Sequence, residues 1–200
     1  MEQSKSQHGR QWAESGWRNA ELGPSLAERC RAIEMLVVDV DGVLTDGSIV
    51  LGENGAEIKR FHVRDGSALT FWRKAGKNTA IISGRTSPAV ATRAKELGVS
   101  TVIQGIKDKW TAYRRLLGEV GVAPGQVSCI GDDIPDYPLL AHAGLAVAVA
   151  DACSEIRAKA HYVTTAAGGR GAVREVVELI LRCQGRWHEA IESFPTATLD

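Results

Sequence analysis

From Met35 onward the sequence reads as an α/β domain, a Rossmann-like parallel sheet flanked by helices with a β-hairpin after the first strand. Two patterns carry that expectation. Short β-branched runs alternate with stretches of helical periodicity, the rhythm of parallel strands joined by helical crossovers. One interval breaks the rhythm by alternating apolar and polar residues about a turn. The chain has 200 residues, 44% hydrophobic and 24% charged, enough for one domain with a sizeable core.

Taken in order, strands are expected at MLVVD (35–39), TAIIS (79–83), STVI (100–103), VSCI (127–130), LAVAV (145–149) and HYV (161–163). Helices are expected in GSALTFWRKAG from Gly66, SPAVATRAKELG from Ser87, KDKWTAYRRLLGEVG from Lys107 and GAVREVVELILRC from Gly171. Three of these stretches end on a glycine, the usual left-handed stop. The hairpin falls in SIVLGENGAEIKRF, with Glu53, Asn54 and Gly55 at its turn. It overhangs the carboxyl end of the first strand, and in open α/β sheets ligands bind at that end.

A polar lead, 1–33, precedes a domain assigned to 34–184, and a tail, 185–200, follows it. The lead holds Trp12, Trp17 and the amphipathic run LAERCRAIE, expected to form a helix docked on the body or on a partner subunit. The tail ends in polar turn formers, and His188 within it reads as a surface residue.

Lys plus Arg and Asp plus Glu number 24 each, so no net field attracts nucleic acid or an anionic membrane. The longest apolar stretches, Met35 to Val38 and Leu145 to Ala150, fall far short of the roughly 20 residues of a membrane helix. The first thirty residues contain no apolar core of the length a secretory signal needs, and Cys30, Cys129, Cys153 and Cys183 show no CxxC spacing. A soluble cytoplasmic protein with reduced thiols is expected.

The chemistry concentrates at strand ends. The first strand runs into Asp39, Val40, Asp41 and Gly42, two carboxylates two residues apart in a glycine-bearing turn. VSCI ends in Gly131, Asp132, Asp133, Ile134, Pro135 and Asp136, a second acidic cluster of the same kind. If these strands are neighbours, the clusters supply oxygen ligands to one hard cation, for which Mg²⁺ is the natural candidate. Ser83, Gly84 and Arg85 after TAIIS, and Lys109 at a helix start, offer the hydroxyl, amides and ammonium that a phosphoryl group requires. Singly, each has a plainer reading: a solvated turn, a helix cap at Ser83, an exposed helix lysine at Lys109.

The order DxDG, Ser, Lys, GDDxxD resembles the haloacid dehalogenase (HAD) superfamily, from about Leu36 to Cys183. The stretches DVDGVLTDG, FHVRDG, IISGR, GDDIPDYP, VAVADA and GGRGAVRE are similar to its small capless branch, the family of 3-deoxy-D-manno-octulosonate 8-phosphate (KDO 8-phosphate) phosphatases. That resemblance implies an HAD-like fold without a cap domain and Mg²⁺-dependent hydrolysis of a sugar acid phosphate in surface-glycan (lipopolysaccharide) synthesis. It also implies a homotetramer in which the hairpins build a collar and neighbouring subunits help to close each site.

By motif position, the resemblance makes Asp39 the nucleophile and Asp41 the general acid and base, with Asp39, Asp132 and the Asp41 carbonyl as metal ligands. Ser83 and Lys109 hold the phosphoryl oxygens. An aspartyl phosphate splits hydrolysis into two easier steps, while metal and Lys109 neutralise the repulsion between carboxylate and phosphate. Asp133 and Asp136 orient Lys109 or the metal's waters, or cap the next helix, and for Asp133 the orienting role is preferred to capping. Substrate contacts map onto His62, Val63, Arg64, Asp65, Gly66, Arg85 and Arg93, since the planar fork of arginine suits a carboxylate. The plainer readings are a solvated helix face for Arg93 and an Arg64–Asp65 salt bridge.

Arg170, ahead of a helix amino end in GGRG, suits an anion and acts either in a neighbouring site or as a loop charge. Thr70 stands where some relatives carry an arginine, which bears on the choice of sugar; Phe71 and Trp72 beside it read as core. A nine-carbon ulosonate phosphate is the alternative substrate. A receiver-like phosphoacceptor fits less well, because its aspartate follows the third strand, and a noncatalytic binding relative would not need the intact Asp39, Asp41, Ser83, Lys109 and Asp132.

Overall fold

A computed structural model describes residues 24–192. Its centre is a six-stranded, wholly parallel sheet with the order β5-β4-β1-β6-β7-β8. The strands are β1 (Met35–Val38), β4 (Asn78–Ile82), β5 (Thr101–Ile103), β6 (Val127–Gly131), β7 (Leu145–Ala148) and β8 (Tyr162–Val163). The hairpin is a separate antiparallel pair, β2 (Val50–Leu51) with β3 (Glu57–Ile58), reversing through Glu53–Gly55 with Asn54 at a left-handed φ of 65°. All expected strands and the hairpin are present, within one or two residues at their ends.

Strand β1 is buried along its whole length, as a strand covered on both faces must be. It pairs with β4 on one side and β6 on the other, Val38 standing level with Ile81 and Ile130. The chain leaves β1 toward β4 and later returns to β6, so the strand order reverses beside β1. The loops after β1, β4 and β6 therefore open into one crevice, the place where such sheets bind ligands.

The long helices are α1 (Pro24–Ala32), α2 (Val63–Lys74), α3 (Pro88–Leu97), α4 (Lys109–Val120) and α7 (Ala172–Cys183); α5 (Tyr137–Leu140), α6 (Ser154–Arg157) and α8 (Trp187–Glu192) are short. Helix α2 begins three residues before the expected Gly66, at Val63. The extra turn is stabilised from elsewhere in the chain, by contacts described below. Helix α7 buries Val173, Val176, Val177, Ile180 and Leu181, on the order of 1.5–3 kcal/mol for each large side chain.

The expected lead helix exists as α1 and docks on this body. Cys30 and Ile33 are fully buried, Arg29 donates to the Gly144 carbonyl at 2.7 Å, and the Gln184 amide donates to the carbonyls of Cys30 (3.0 Å) and Ile33 (2.8 Å). Trp12 and Trp17 lie outside the described residues, as does the tail from 193. The first part of that tail is helical in α8, where Trp187 meets Phe71 edge-on at 5.6 Å. Trp72 is fully buried and donates to the Asn78 carbonyl at 2.8 Å, in keeping with a core role. His188 is exposed and pairs with Glu192, and all four cysteines are free thiols.

Candidate active site

The end of β1 delivers Asp39 into the crevice, its amide donating to the Ile130 carbonyl of β6 at 3.2 Å. The loop then turns sharply at Gly42, which has a φ of 91°. A side chain there is barred twice: the left-handed backbone strains it, and its Cβ would lie 2.1 Å from an Asp132 carboxylate oxygen. The two acidic motifs are thus in contact, and oxygens of Asp39, Asp132 and Asp136 lie within 4.8 Å of one another.

Lys109 enters from the first turn of α4, whose start is fixed by the Asp108 side chain accepting from the Thr111 amide at 3.1 Å. Its buried ammonium donates to Asp39 Oδ1 at 2.7 Å and Asp136 Oδ1 at 2.6 Å. The exposed-helix reading of Lys109 is therefore excluded. Burial works against its charge, but Asp136 and Asp39 outweigh it and hold the ammonium above its ordinary pKa.

Burial first, then the charge of Asp136, pushes Asp39 up to about 6 against the pull of Lys109. Burial and the charges of Asp136, Asp39 and Asp133 push Asp132 up to about 7. Three converging carboxylates against one ammonium leave negative charge that a divalent cation would neutralise.

Within the trio the residues differ. Asp136 accepts from Lys109 on Oδ1 and from the Asp132 amide on Oδ2 at 3.1 Å, so both its oxygens are occupied by the chain itself. Asp39 has one such partner, Lys109 on Oδ1, and so keeps more carboxylate oxygen open to a cation than Asp136 does. Of the two residues expected to orient Lys109 or the metal's waters, the buried Asp136 makes the contact with Lys109, while Asp133 is exposed. A 3₁₀ turn over Ile134–Asp136 folds Asp136 inward and leaves Asp133 outside.

The Asp41 carboxylate is not among the converging oxygens; only its carbonyl is left to serve as the expected ligand. Its Oδ1 accepts from Lys59 Nζ, and Arg85 Nε stands 3.8 Å from Oδ2. Lys59 also lies 3.4 Å from Glu57, which accepts from Arg85 at 2.7 Å. Motif reading missed Lys59 and Glu57, since the hairpin pattern marks them only as polar positions; their partners lie in other loops.

Ser83 is buried at the end of β4, its Oγ accepting from the Arg85 amide at 3.2 Å. It does not cap α3, whose N-cap is Ser87.

The expected substrate residues separate into two groups. Arg85 belongs to the crevice network. His62, Gly66 and Arg93 instead line a mostly apolar recess with Phe61, Leu44 and Val90. Arg93 lies over Gly66 and pairs with Glu96 at 3.0 Å, while Val63 and Arg64 are exposed in the first turn of α2. Asp65 lines the same recess, but its carboxylate is engaged from within the chain. Asp65 is 1% exposed and accepts from the Gly171 amide (3.1 Å) and the Arg174 amide (2.8 Å) at the amino end of α7. The anion suited to that helix end is a side chain of the protein itself. An Arg64–Asp65 salt bridge is absent among the described residues.

The GGRG loop packs on the DxDG loop: the Gly169 amide donates to the Val43 carbonyl at 2.8 Å, and a Cβ on Gly168 would sit 1.7 Å from the Gly42 carbonyl oxygen. Arg170, exposed, stands 3.5 Å from Asp46, which Arg60 also holds; Arg60 and the Ser48 amide lower Asp46 to about 2.

A carboxylate pair after β1, a serine after β4, a buried lysine on α4 and a carboxylate after β6 define a hydrolase of the HAD class. Residues 102–176 match the family model described as haloacid dehalogenase-like hydrolase. The chain is 46% identical over 165 residues to the KDO 8-phosphate phosphatase KdsC of Yersinia pestis, covering 82% of this chain and 88% of that one. It is 44% identical over 171 residues to KdsC of Escherichia coli K12, covering 84% and 91%. The Y. pestis crystal structure superposes with a TM-score of 0.81 at 45% identity, over 82% of this chain and 89% of that one. The Moraxella catarrhalis enzyme, in complex with a magnesium ion, a phosphate ion and KDO, gives 0.82 at 42% identity, over 84% and 97%. This chain belongs to the KdsC family of 3-deoxy-D-manno-octulosonate 8-phosphate phosphatases.

Proposed function

We propose that the chain is a Mg²⁺-dependent phosphatase that hydrolyses KDO 8-phosphate through an aspartyl-phosphate intermediate. The observation that carries the reading is the meeting of Asp39 with Asp132, Asp136 and Lys109 at the strand ends. Asp39 attacks phosphorus as the bond to the sugar oxygen breaks, and Asp41 gives that oxygen its proton. Water then attacks the phosphorus, Asp41 takes its proton, and the Asp39–phosphorus bond breaks to release inorganic phosphate. Lys109 and Ser83 hold phosphoryl oxygens, and Asp136 keeps Lys109 aimed at Asp39. Asp39 and Asp132 would hold Mg²⁺ with the Asp41 carbonyl, and the bound ion would neutralise charge between carboxylate and phosphate.

Arg85 supplies a cation for a sugar acid's carboxylate at the crevice, and Arg64, Arg93 and Arg170 are the further arginines that the family resemblance assigns to substrate. The family relationship and the KDO-bound Moraxella structure support the eight-carbon substrate. The hairpin leaves Ile49, Val50, Leu51 and Ile58 about half exposed or more, an apolar face that fits the tetramer collar of the family. No described helix is long and apolar enough to cross a membrane, and four free cysteines fit a reducing cytoplasm.

The test is phosphate release from eight-carbon and nine-carbon ulosonate phosphates and from hexose phosphates, compared by kcat/KM with Mg²⁺ and with EDTA. The eight-carbon ester should lead and Asp39→Asn should be silent. A nine-carbon preference would move the substrate, and a hexose preference would remove the sugar acid. Sedimentation of the active species tests the tetramer.

A further inference from the structure

We infer that Lys59, on the hairpin, is a positioning residue for Asp41. The inference rests on the phosphatase reading above. Lys59 follows β3 and reaches inward until its side chain is only 1% exposed. An ammonium that deeply buried must be matched by anions, and its partners are Asp41 and, at 3.4 Å, Glu57.

Arg85 closes the network from the loop after β4, 3.8 Å from Asp41 and 2.7 Å from Glu57. The two cations are not equivalent. The Arg85 side chain is 48% exposed and borders solvent, whereas that of Lys59 is enclosed against Asp41 and Glu57.

Lys59 therefore holds Asp41 Oδ1 throughout and leaves Oδ2 as the atom that gives a proton to the leaving sugar oxygen and later takes one from water. The phosphorus–oxygen bond to the sugar breaks as the bond to Asp39 forms, and Asp41 reprotonates as the aspartyl phosphate is hydrolysed. Both steps depend on where the Asp41 carboxylate points. A displacement of about 1 Å in such a group lowers rates by about 100-fold. Lys59 touches neither substrate nor phosphorus in this scheme; it acts through Asp41, and it makes the hairpin's seating a determinant of turnover.

The experiment uses the full chain with Mg²⁺ and compares Lys59→Met, Lys59→Gln and Lys59→Arg with wild type and Asp41→Asn. Two substrates are used: the eight-carbon sugar acid phosphate, whose alkoxide needs a proton, and p-nitrophenyl phosphate, whose phenolate leaves without one.

Lys59→Met and Lys59→Gln should lower kcat on the sugar phosphate by about 10-fold to 100-fold with KM within about threefold, and Lys59→Arg should recover part of the loss. With p-nitrophenyl phosphate the neutral variants should release a stoichiometric burst of p-nitrophenolate and then turn over slowly, because the phosphoenzyme forms but breaks down without a well-aimed base. A merely structural anchor would lower both reactions together, without a burst, in step with thermal stability; that result overturns the inference.

So does wild-type kcat in either neutral variant while Asp41→Asn is inactive, an outcome that leaves the phosphatase reading intact. A wild-type chain that turns over no phosphate ester removes that reading and the role of Lys59 with it. Two neutral variants of different polarity keep the test open if one of them misfolds.

Discussion

Asp132→Asn offers a direct measure of the charge stored at this site. Burial and the carboxylates of Asp136, Asp39 and Asp133 raise Asp132 from 3.8 to about 7. The folded chain thus binds this proton more tightly than the unfolded chain, and the linkage slope is negative: the contribution of Asp132 to stability falls as pH rises from about 4 through about 7. At about 1.4 kcal/mol per pH unit the full change is about 4 kcal/mol, and partial exposure to solvent reduces it to about 2 kcal/mol.

Asparagine keeps the shape and removes the charge. In EDTA at pH 8 the variant should be more stable than wild type by about 2 kcal/mol, and the advantage should vanish near pH 4. Magnesium should reverse the ranking. At 100 times its dissociation constant a bound ion adds about 2.7 kcal/mol to wild type, whereas the variant lacks one of the two carboxylates proposed to hold it. The assay is urea unfolding of both proteins at pH 4, 5 and 8, each in EDTA and in Mg²⁺. A variant less stable than wild type at pH 8 in EDTA, or a magnesium effect of equal size in both proteins, would refute the electrostatic argument.

Lys109→Met removes the ammonium between Asp39 and Asp136, and kcat should fall by at least about 100-fold in steady-state phosphate release. Asp65→Ala leaves the Gly171 and Arg174 amides without their acceptor and should cost about 1–3 kcal/mol in urea unfolding, while Asp65→Asn, which keeps an oxygen, should cost less. Gly168→Ala drives a Cβ into the Gly42 carbonyl, backbone against backbone; a soluble variant should show a lowered melting temperature and reduced kcat together, because the loop that moves carries Asp41. Wild-type kinetics in Lys109→Met, or unchanged unfolding in Asp65→Ala or Gly168→Ala, would contradict the contacts on which each expectation stands.

Much of this protein is legible in one dimension. Strand burial shows in MLVV because a strand covered on both faces is apolar at every position, and the hairpin shows because Asn54 and Gly55 punctuate an alternating run. The acidic motifs could be placed at strand ends because each directly follows its strand. What no local pattern carried was the pairing of charges. Asp65 and Arg64 are neighbours in the chain, yet Asp65 is engaged by amides 106 and 109 positions away, and Lys59 meets Asp41 only because the hairpin folds back over the loop after β1.

By itself, then, the sequence determined the layered α/β architecture, the place of the hairpin and the family to which Asp39, Asp41, Ser83, Lys109 and Asp132 point, since these rest on periodicity and on residues adjacent in the chain. Only the tertiary structure decided that Asp136 rather than Asp133 holds Lys109, that Asp65 caps a helix, and that Lys59 holds Asp41. A buried charge or amide takes whichever partner the fold brings within about 3 Å, and that partner is set by the packing of distant segments rather than by sequence separation.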